Sequence, residues 1–221
     1  MSGRGWKEVA IGLGAYGAYL LVRQAVWTPA GRARAAANAV RIDAAEQRWG
    51  VAAERPVQQF VLRAPRLVDV LNASYAAANV ALSVGWLGIL HRRGDDGFLT
   101  ERRAAVIAFV GALPVFALLP TAPPRTLPGF VDTMAERGLD LDHPLLTRLY
   151  NPIAALPSHH VAFATVTGLG LARRARSPWA RAAWRAYPVG VALVVIGTAN
   201  HFVTDVVAGA ALGLVARGVA R

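Results

Sequence analysis

Two textures alternate along the chain. Strongly apolar stretches, uncharged but for Asp205 in the last, occupy residues 9–22, 72–90, 104–119, 160–172, 186–199 and 202–216, and each is predicted as a membrane-spanning helix. The first is bracketed by Trp6 and Trp27, a helical separation of about 31 Å that matches one hydrocarbon thickness. A cleavable signal peptide is the competing reading of that stretch. The third contains Pro114, which predicts a kink. The fourth is short, and spans only if Arg173, Arg174 and Arg176 snorkel to the interface.

Residues 32–66 are of the other texture, charged with apolar positions at helical spacing. Ile42, Ala45 and Trp49 form one stripe; Val57, Phe60, Val61 and Ala64 form a second, begun by Pro56 and ended near Pro65. Basic amphipathic helices of this kind lie in the membrane interface or pack onto a transmembrane bundle. The expected architecture is therefore all-α and polytopic: six transmembrane helices plus N-terminal amphipathic interfacial helices in a single membrane domain, 1–221. Residues 1–71 supply the first span and the amphipathic segment, and 72–221 a five-span catalytic core. Residues 120–157 form a long proline-rich connection, of a length that is uncommon unless functional. Gly209 and Gly213 give the last span a small-residue face for close packing.

Composition sharpens this picture. With 55% hydrophobic and 17% charged residues the chain is too apolar for a soluble domain. It has no cysteine, which excludes disulfides, thiolate metal sites and a cysteine nucleophile. The net charge of +11 comes almost wholly from arginine, with Lys7 the one lysine. These arginines flank apolar runs, so they read as topology signals and contacts to anionic headgroups, not as a nucleic-acid surface. The N-terminus, the second and fourth loops and the C-terminus share a side and hold most of them. The long loop opposite holds only Arg125, Arg137 and Arg148. The positive-inside rule puts the first group in the cytoplasm and the long loop outside, with residues 23–66 running against it.

Candidate chemistry sits at span ends on that outer side. His201 and Asp205 are four residues apart and share a helix face, so the carboxylate can hold one ring nitrogen and leave the other free to attack an electrophile. Ser158 is a natural N-cap that places His159 and His160 in the first turn of the fourth span, where exposed N–H groups attract an anion. Arg125 ends a stiff proline-rich turn and is suited to phosphate oxygens. Asn151 and Asn200 are candidate substrate hydrogen-bonders, and His159 reads as structural or headgroup-facing. Other readings of the histidines and Asp205 are a two-histidine, one-carboxylate metal site and a proton relay in a transporter. No internal repeat supports the transporter.

The run Leu156-Pro157-Ser158-His159-His160 resembles the second motif of the type-2 phosphatidic acid phosphatase superfamily, Pro-Ser-x-His. The run from Asn200-His201 to Asp205 resembles its third motif, with the His-x-x-x-Asp spacing intact. The superfamily's first motif, a lysine followed seven residues later by Arg-Pro, is absent, and Val195 stands where an arginine usually precedes the third-motif histidine. The 120–125 turn in its place is similar to the inositol phosphorylceramide synthase branch, whose members transfer phospho-headgroups with a His, His, Asp triad. This resemblance implies His201 as nucleophile, His160 as general acid and base, and Asp205 as the orienting carboxylate. It extends to Arg125 as a phosphate ligand, while Ser158, Asn151 and Asn200 join the expected phosphate- or substrate-binding set from their own chemistry and position; neither metal nor cofactor is expected. The expected partners are membrane lipids, a lipid phosphate and, for transfer, a polyol acceptor, with a plain lipid or prenyl (di)phosphate phosphatase as the alternative. The missing cations weigh against plain hydrolysis.

Overall fold

The computed structural model describes residues 3–221, with side chains from residue 5 onward. Met1, Ser2 and the side chain of Arg4, which the domain range and the arginine count include, lie outside the described residues. Helices dominate: α1 (Gly3–Val26), α2 (Pro29–Trp49), α3 (Glu54–Leu62), α4 (Pro65–Ala73), α5 (Asn79–Arg92), α6 (Phe98–Gly111), α7 (Leu113–Leu118), α8 (His159–Arg174), α9 (Pro178–Gly197) and α10 (Val203–Val219). Among the described residues there is no strand, only a single parallel bridge between Thr121 and Ala154.

Each apolar stretch falls on helix, but the boundaries differ from expectation. The second begins at Pro65, not at 72. Proline at the first helical position starts the helix, and the charges of Arg66 and Asp69 had made its first turns look like interfacial material. α4 and α5 are joined by a π-helical turn, Ser74–Ala78, so the helix runs on to Arg92. The third stretch breaks at Ala112, just before Pro114, into α6 and α7. By length and composition two helices suffice to cross a membrane, Gly5–Val26 and Pro65–Arg92. α8 and α10 have only 16 and 17 residues.

α8 is the axis of the bundle, packed against α5, α6, α9 and α10. It buries Val161, Ala162, Ala164, Val166 and Ala172, and carries no large exposed apolar side chain. By contrast α1, α5, α9 and α10 turn outward Leu13 and Leu21, Val80 and Val84, Val189 and Leu193, and Val207 and Leu214. The small-residue face of α10 explains how close α8 comes. A Cβ on Gly209 would run into the Ser158 carbonyl, and one on Gly213 would lie 2.7 Å from the Ala162 oxygen. The far end of α8 is fixed by ion pairs. Arg174 donates to Asp95 at 2.8 Å and to Glu101 at 3.1 Å. Buried Glu101 in turn accepts from Arg217 of α10 at 2.7 Å.

α2 and α3 pack onto the opposite end. Ala35 and Ala39 join a cluster with Val26, Ala122, Ile153 and Phe202. The stripes expected to be apolar are in part reversed: Trp49 is 70% and Phe60 65% exposed, while Glu46, Glu54 and Gln58 are buried. The buried polar residues replace the expected apolar face because they serve backbone groups of the loop and of α10. Gln58 gives its amide to the Val131 carbonyl at 2.8 Å and takes the Val131 N–H at 3.0 Å.

Candidate functional site

The long loop is folded back over the bundle by backbone hydrogen bonds. Thr121 N–H reaches the Ile153 carbonyl at 2.9 Å and Ala155 N–H the Thr121 carbonyl at 3.0 Å. The loop's two ends are thereby held side by side, Pro123–Arg125 next to Asn151–Ala155. Asn72 fixes the middle by donating to the Thr133 carbonyl at 2.8 Å and accepting from the Thr133 hydroxyl. Between Val131 and Thr133, each clamped, Asp132 is delivered to the Arg125 Nε at 2.9 Å.

Two helix ends close the site. α9 stops in a left-handed turn at Ala199, φ 51°, with Asn200 N–H returning to the Val195 carbonyl at 2.9 Å. This is the termination that glycine usually serves. Ala199 offers its own carbonyl to Arg125 N–H at 2.8 Å, so the turn carrying Asn200 and His201 is tied to the loop carrying Arg125. α10 then starts at Val203, and Asp205 reaches back to accept Phe202 N–H at 2.9 Å, half of a capping box. Ser158 caps α8 as expected, its Oγ accepting Val161 N–H at 3.3 Å.

A cavity of about 90 Å³ is enclosed by these pieces, lined by Arg125, His160, His201, Asn151, Asn200, Tyr75 and Tyr150 among others. The rings of His160 and His201 lie 5.9 Å apart. Each has one nitrogen bound to a backbone carbonyl: His201 Nδ1 to Ala155 at 2.9 Å, and His160 Nε2 to Tyr75 at 3.2 Å. A carbonyl only accepts, so both nitrogens carry hydrogen and the tautomers are opposite. His201 keeps a free Nε2 and His160 a free Nδ1. The Tyr75 carbonyl lies in the π-helical turn, and the tyrosine ring stacks on His160 at 4.4 Å. π-turns of this kind recur at functional sites.

The structure thus brings together His160, His201, Asp205, Arg125, Asn151 and Asn200, but not in the expected division of labour. Asp205 stands 3.4 Å from His201 Nδ1, farther than the Ala155 carbonyl. The backbone, more than the carboxylate, fixes the tautomer. Asn200 gives its oxygen to Arg125 Nη1 at 2.8 Å and its amide to Thr198 at 2.9 Å, so it holds Arg125. Ser158 is fully buried and does not line the cavity. Asn151, which lines the cavity, uses its oxygen on Ile153 N–H, while its buried Nδ2 has no partner among the described residues. Arg125 commits Nε and Nη1 to protein, leaving Nη2 with Tyr150 at 3.4 Å and Asp142 at 3.7 Å. Burial opposes its charge, but the surrounding tyrosines and carboxylates hold its pKa above the ordinary arginine value. His159 stacks on Phe109 at 4.9 Å and binds the Phe109 carbonyl at 3.1 Å, a packing role.

Several contributors went unread in the sequence: Tyr75, Tyr150, Asp132 and the two glutamates behind α10. One signal was available for the first. Asn72, Tyr75, Asn79 and Ser83 form a polar stripe at helical spacing inside an apolar run. Among the described residues no three of His, Cys, Asp or Glu are grouped to hold a metal ion.

Comparison with known proteins adds one match. No curated protein and no solved structure matches the chain. The model of the PAP2 superfamily matches residues 40–219, taking in the amphipathic segment, the loop and both histidine motifs. The chain therefore belongs to the PAP2 superfamily, and is an enzyme of the phosphatase and phosphotransferase type that acts on phosphate esters.

Proposed function

We propose that this protein cleaves a lipid phosphate ester through a phosphohistidine at His201 and passes the phosphoryl group, with or without its headgroup, to an alcohol. The observation that carries the reading is the pair of histidines with opposite tautomers across one cavity that also holds a guanidinium. His201 Nε2 forms the bond to phosphorus in line, while its Nδ1–H stays on the Ala155 carbonyl and the adjacent Asp205 carboxylate stabilises the cationic ring. His160 enters the step as the imidazolium, with a second proton on the Nδ1 that is free in the neutral ring, and gives that proton to the departing ester oxygen as the P–O bond breaks. The neutral Nδ1 then takes a proton from the acceptor, whose oxygen attacks phosphorus and releases His201. Arg125 Nη2 and Asn151 Nδ2 are the donors available to the equatorial oxygens, where most of the stabilisation in phosphoryl transfer arises.

An apolar substrate is supported by a second cavity of about 300 Å³ that shares Tyr75 and His160 with the first and is otherwise lined by Ala78, Gly190, Val191 and Val194 among others. The outward apolar side chains of α1, α5, α9 and α10 support six spans with α8 as the central one, and α2 and α3 at the interface. On this reading the protein is a multi-pass cell-membrane enzyme. Its N- and C-termini are cytoplasmic and its cavity lies at the outer face.

The test is purified protein in detergent with EDTA, offered lipid phosphates and phospholipids with and without inositol or other polyols. Transfer yields a new phosphate ester of the polyol, a monoester from a lipid phosphate and a diester from a phospholipid, at the expense of the hydrolysis product. Free phosphate as the sole product with every acceptor makes the protein a plain phosphatase. Loss of turnover in EDTA that only a divalent ion restores removes the histidine nucleophile.

A further inference from the structure

Three consecutive backbone N–H groups open α10 directly after His201, and each meets a different carboxylate. Phe202 N–H donates to Asp205, Val203 N–H to Glu54 at 2.5 Å and Thr204 N–H to Glu46 at 2.6 Å. The two glutamates come from the N-terminal segment, one near the end of α2 and one opening α3, about 150 residues away in sequence. They are 0% and 1% exposed, and among the described residues neither has a cationic partner. On their own hairpin Asp43 and Arg55 pair with each other at 2.8 Å; from α10 the carboxylate coupled to Glu46 is that of Asp205.

Two buried carboxylates that cap adjacent backbone N–H groups, without a cation, do not both ionise readily. Nor is either free to leave, because each satisfies a backbone donor that α10 cannot bond internally. Within the pair one oxygen is left over: like Oδ1 of Asp205 in the same cluster, Glu46 Oε2 is buried and has no partner. A proton on Glu54 would give it one. We propose that Glu46 and Glu54 share a single proton and, as a one-charge pair, position the first turn of α10 and with it His201. One net negative charge suits the positive end of the helix, whereas two would repel within the cluster that already holds Asp205. Burial, with Glu46 alongside, raises the Glu54 carboxyl to about 8, so the shared proton is held at neutral pH and released just above it. Both are positioning residues, since neither lines the cavity.

The effect on turnover rests on the histidine reading; the shared proton does not, and is tested without it. Folded protein keeps the proton up to about pH 8, while an unfolded chain releases it near 4.5. Stability is therefore full below the lower value and declines as pH rises through the upper one. Melting of the purified full chain should fall across this range in wild type, and Glu54→Gln, which keeps both the acceptor for Val203 and a donor to Glu46, should flatten the decline. In activity Glu54→Ala should lower kcat by about 10- to 100-fold through displacement of His201. Glu54→Gln should restore most of that loss and remove the alkaline decline. Wild-type melting that is flat over this range, or an unchanged decline in Glu54→Gln, overturns the shared proton. A decline that Glu54→Gln flattens while both variants keep wild-type kcat and alkaline profile overturns the positioning of His201. A wild type that turns over no phosphate ester defeats the histidine reading instead, with the melting curves still deciding the pair.

Discussion

Replacement of Arg125 by lysine keeps the charge and removes the geometry, and so asks what the guanidinium is for. Its three nitrogens point in three directions: Nε to Asp132 at 2.9 Å, Nη1 to Asn200 at 2.8 Å, and Nη2 toward Tyr150 and Asp142 at 3.4 and 3.7 Å. The first two bonds anchor the fork, and the third nitrogen is the one able to reach a phosphate oxygen. A lysine ammonium is a single point and cannot keep Asp132 and a phosphate in those separate directions. Its strongest partner would be Asp132, which draws it out of the cavity.

The loss is then about one charge-assisted hydrogen bond to the substrate, roughly 1.5–3 kcal/mol, or about 10- to 150-fold in kcat/KM. Because the phosphoryl group is common to all substrates, the loss should be the same for a lipid phosphate and an activated aryl phosphate. Arg125→Ala should fall further, and added guanidinium ion should recover part of that rate where ammonium does not. Melting is measured alongside, since Asn200 Oδ1 loses its buried donor in both variants. Lysine within about threefold of wild type on both substrates, with lowered melting, would refute the reasoning. It would make Arg125 a strut for the loop and leave phosphate binding to Asn151 and the helix end.

Other outcomes follow from the same geometry. His201→Ala should abolish turnover of every substrate, whereas His160→Ala should lose about 10²- to 10⁴-fold on a lipid ester yet still release phenolate from an aryl phosphate in a burst. The opposite pattern in product-release assays would exchange their roles. Ala199→Gly, at φ 51°, should raise unfolding stability by about 0.5–1 kcal/mol in thermal melts, the relief of the left-handed conformation exceeding the entropy cost of glycine. Thr126→Cys, exposed beside Arg125 in a chain without cysteine, should react with an impermeant maleimide on intact cells, while Arg93→Cys should be protected. The reverse labelling would invert the topology.

What could be read from the sequence was whatever one short window holds. His201 and Asp205 lie four residues apart, and Ser158 precedes His160 by two, so local spacing alone predicted the cap and the meeting of the two side chains. The shared helix face it also predicted is absent, because His201 sits in the turn ahead of α10 and Asp205 inside its first turn. Residues that act across the fold left no such mark. Glu46 and Glu54 sat in a basic amphipathic stretch where a glutamate reads as solvated surface. Only the approach of α2 and α3 to the start of α10 turns them into buried caps. Trp49 and Phe60 misled for the same reason in reverse, since helical spacing names a face but not what the face meets. Asp132 was one acid in a loop of balanced charge, and its role depends on Gln58 and Asn72 clamping the residues on either side. The division of labour around His201 was hidden most deeply. A carboxylate four residues on is the obvious partner for an imidazole, yet the Ala155 carbonyl lies nearer, because the loop's return beside Thr121 carries it there. Side chains advertise chemistry in sequence; backbone carbonyls do not. In this site the two carbonyls of Ala155 and Tyr75 decide which nitrogen of each histidine is free to react.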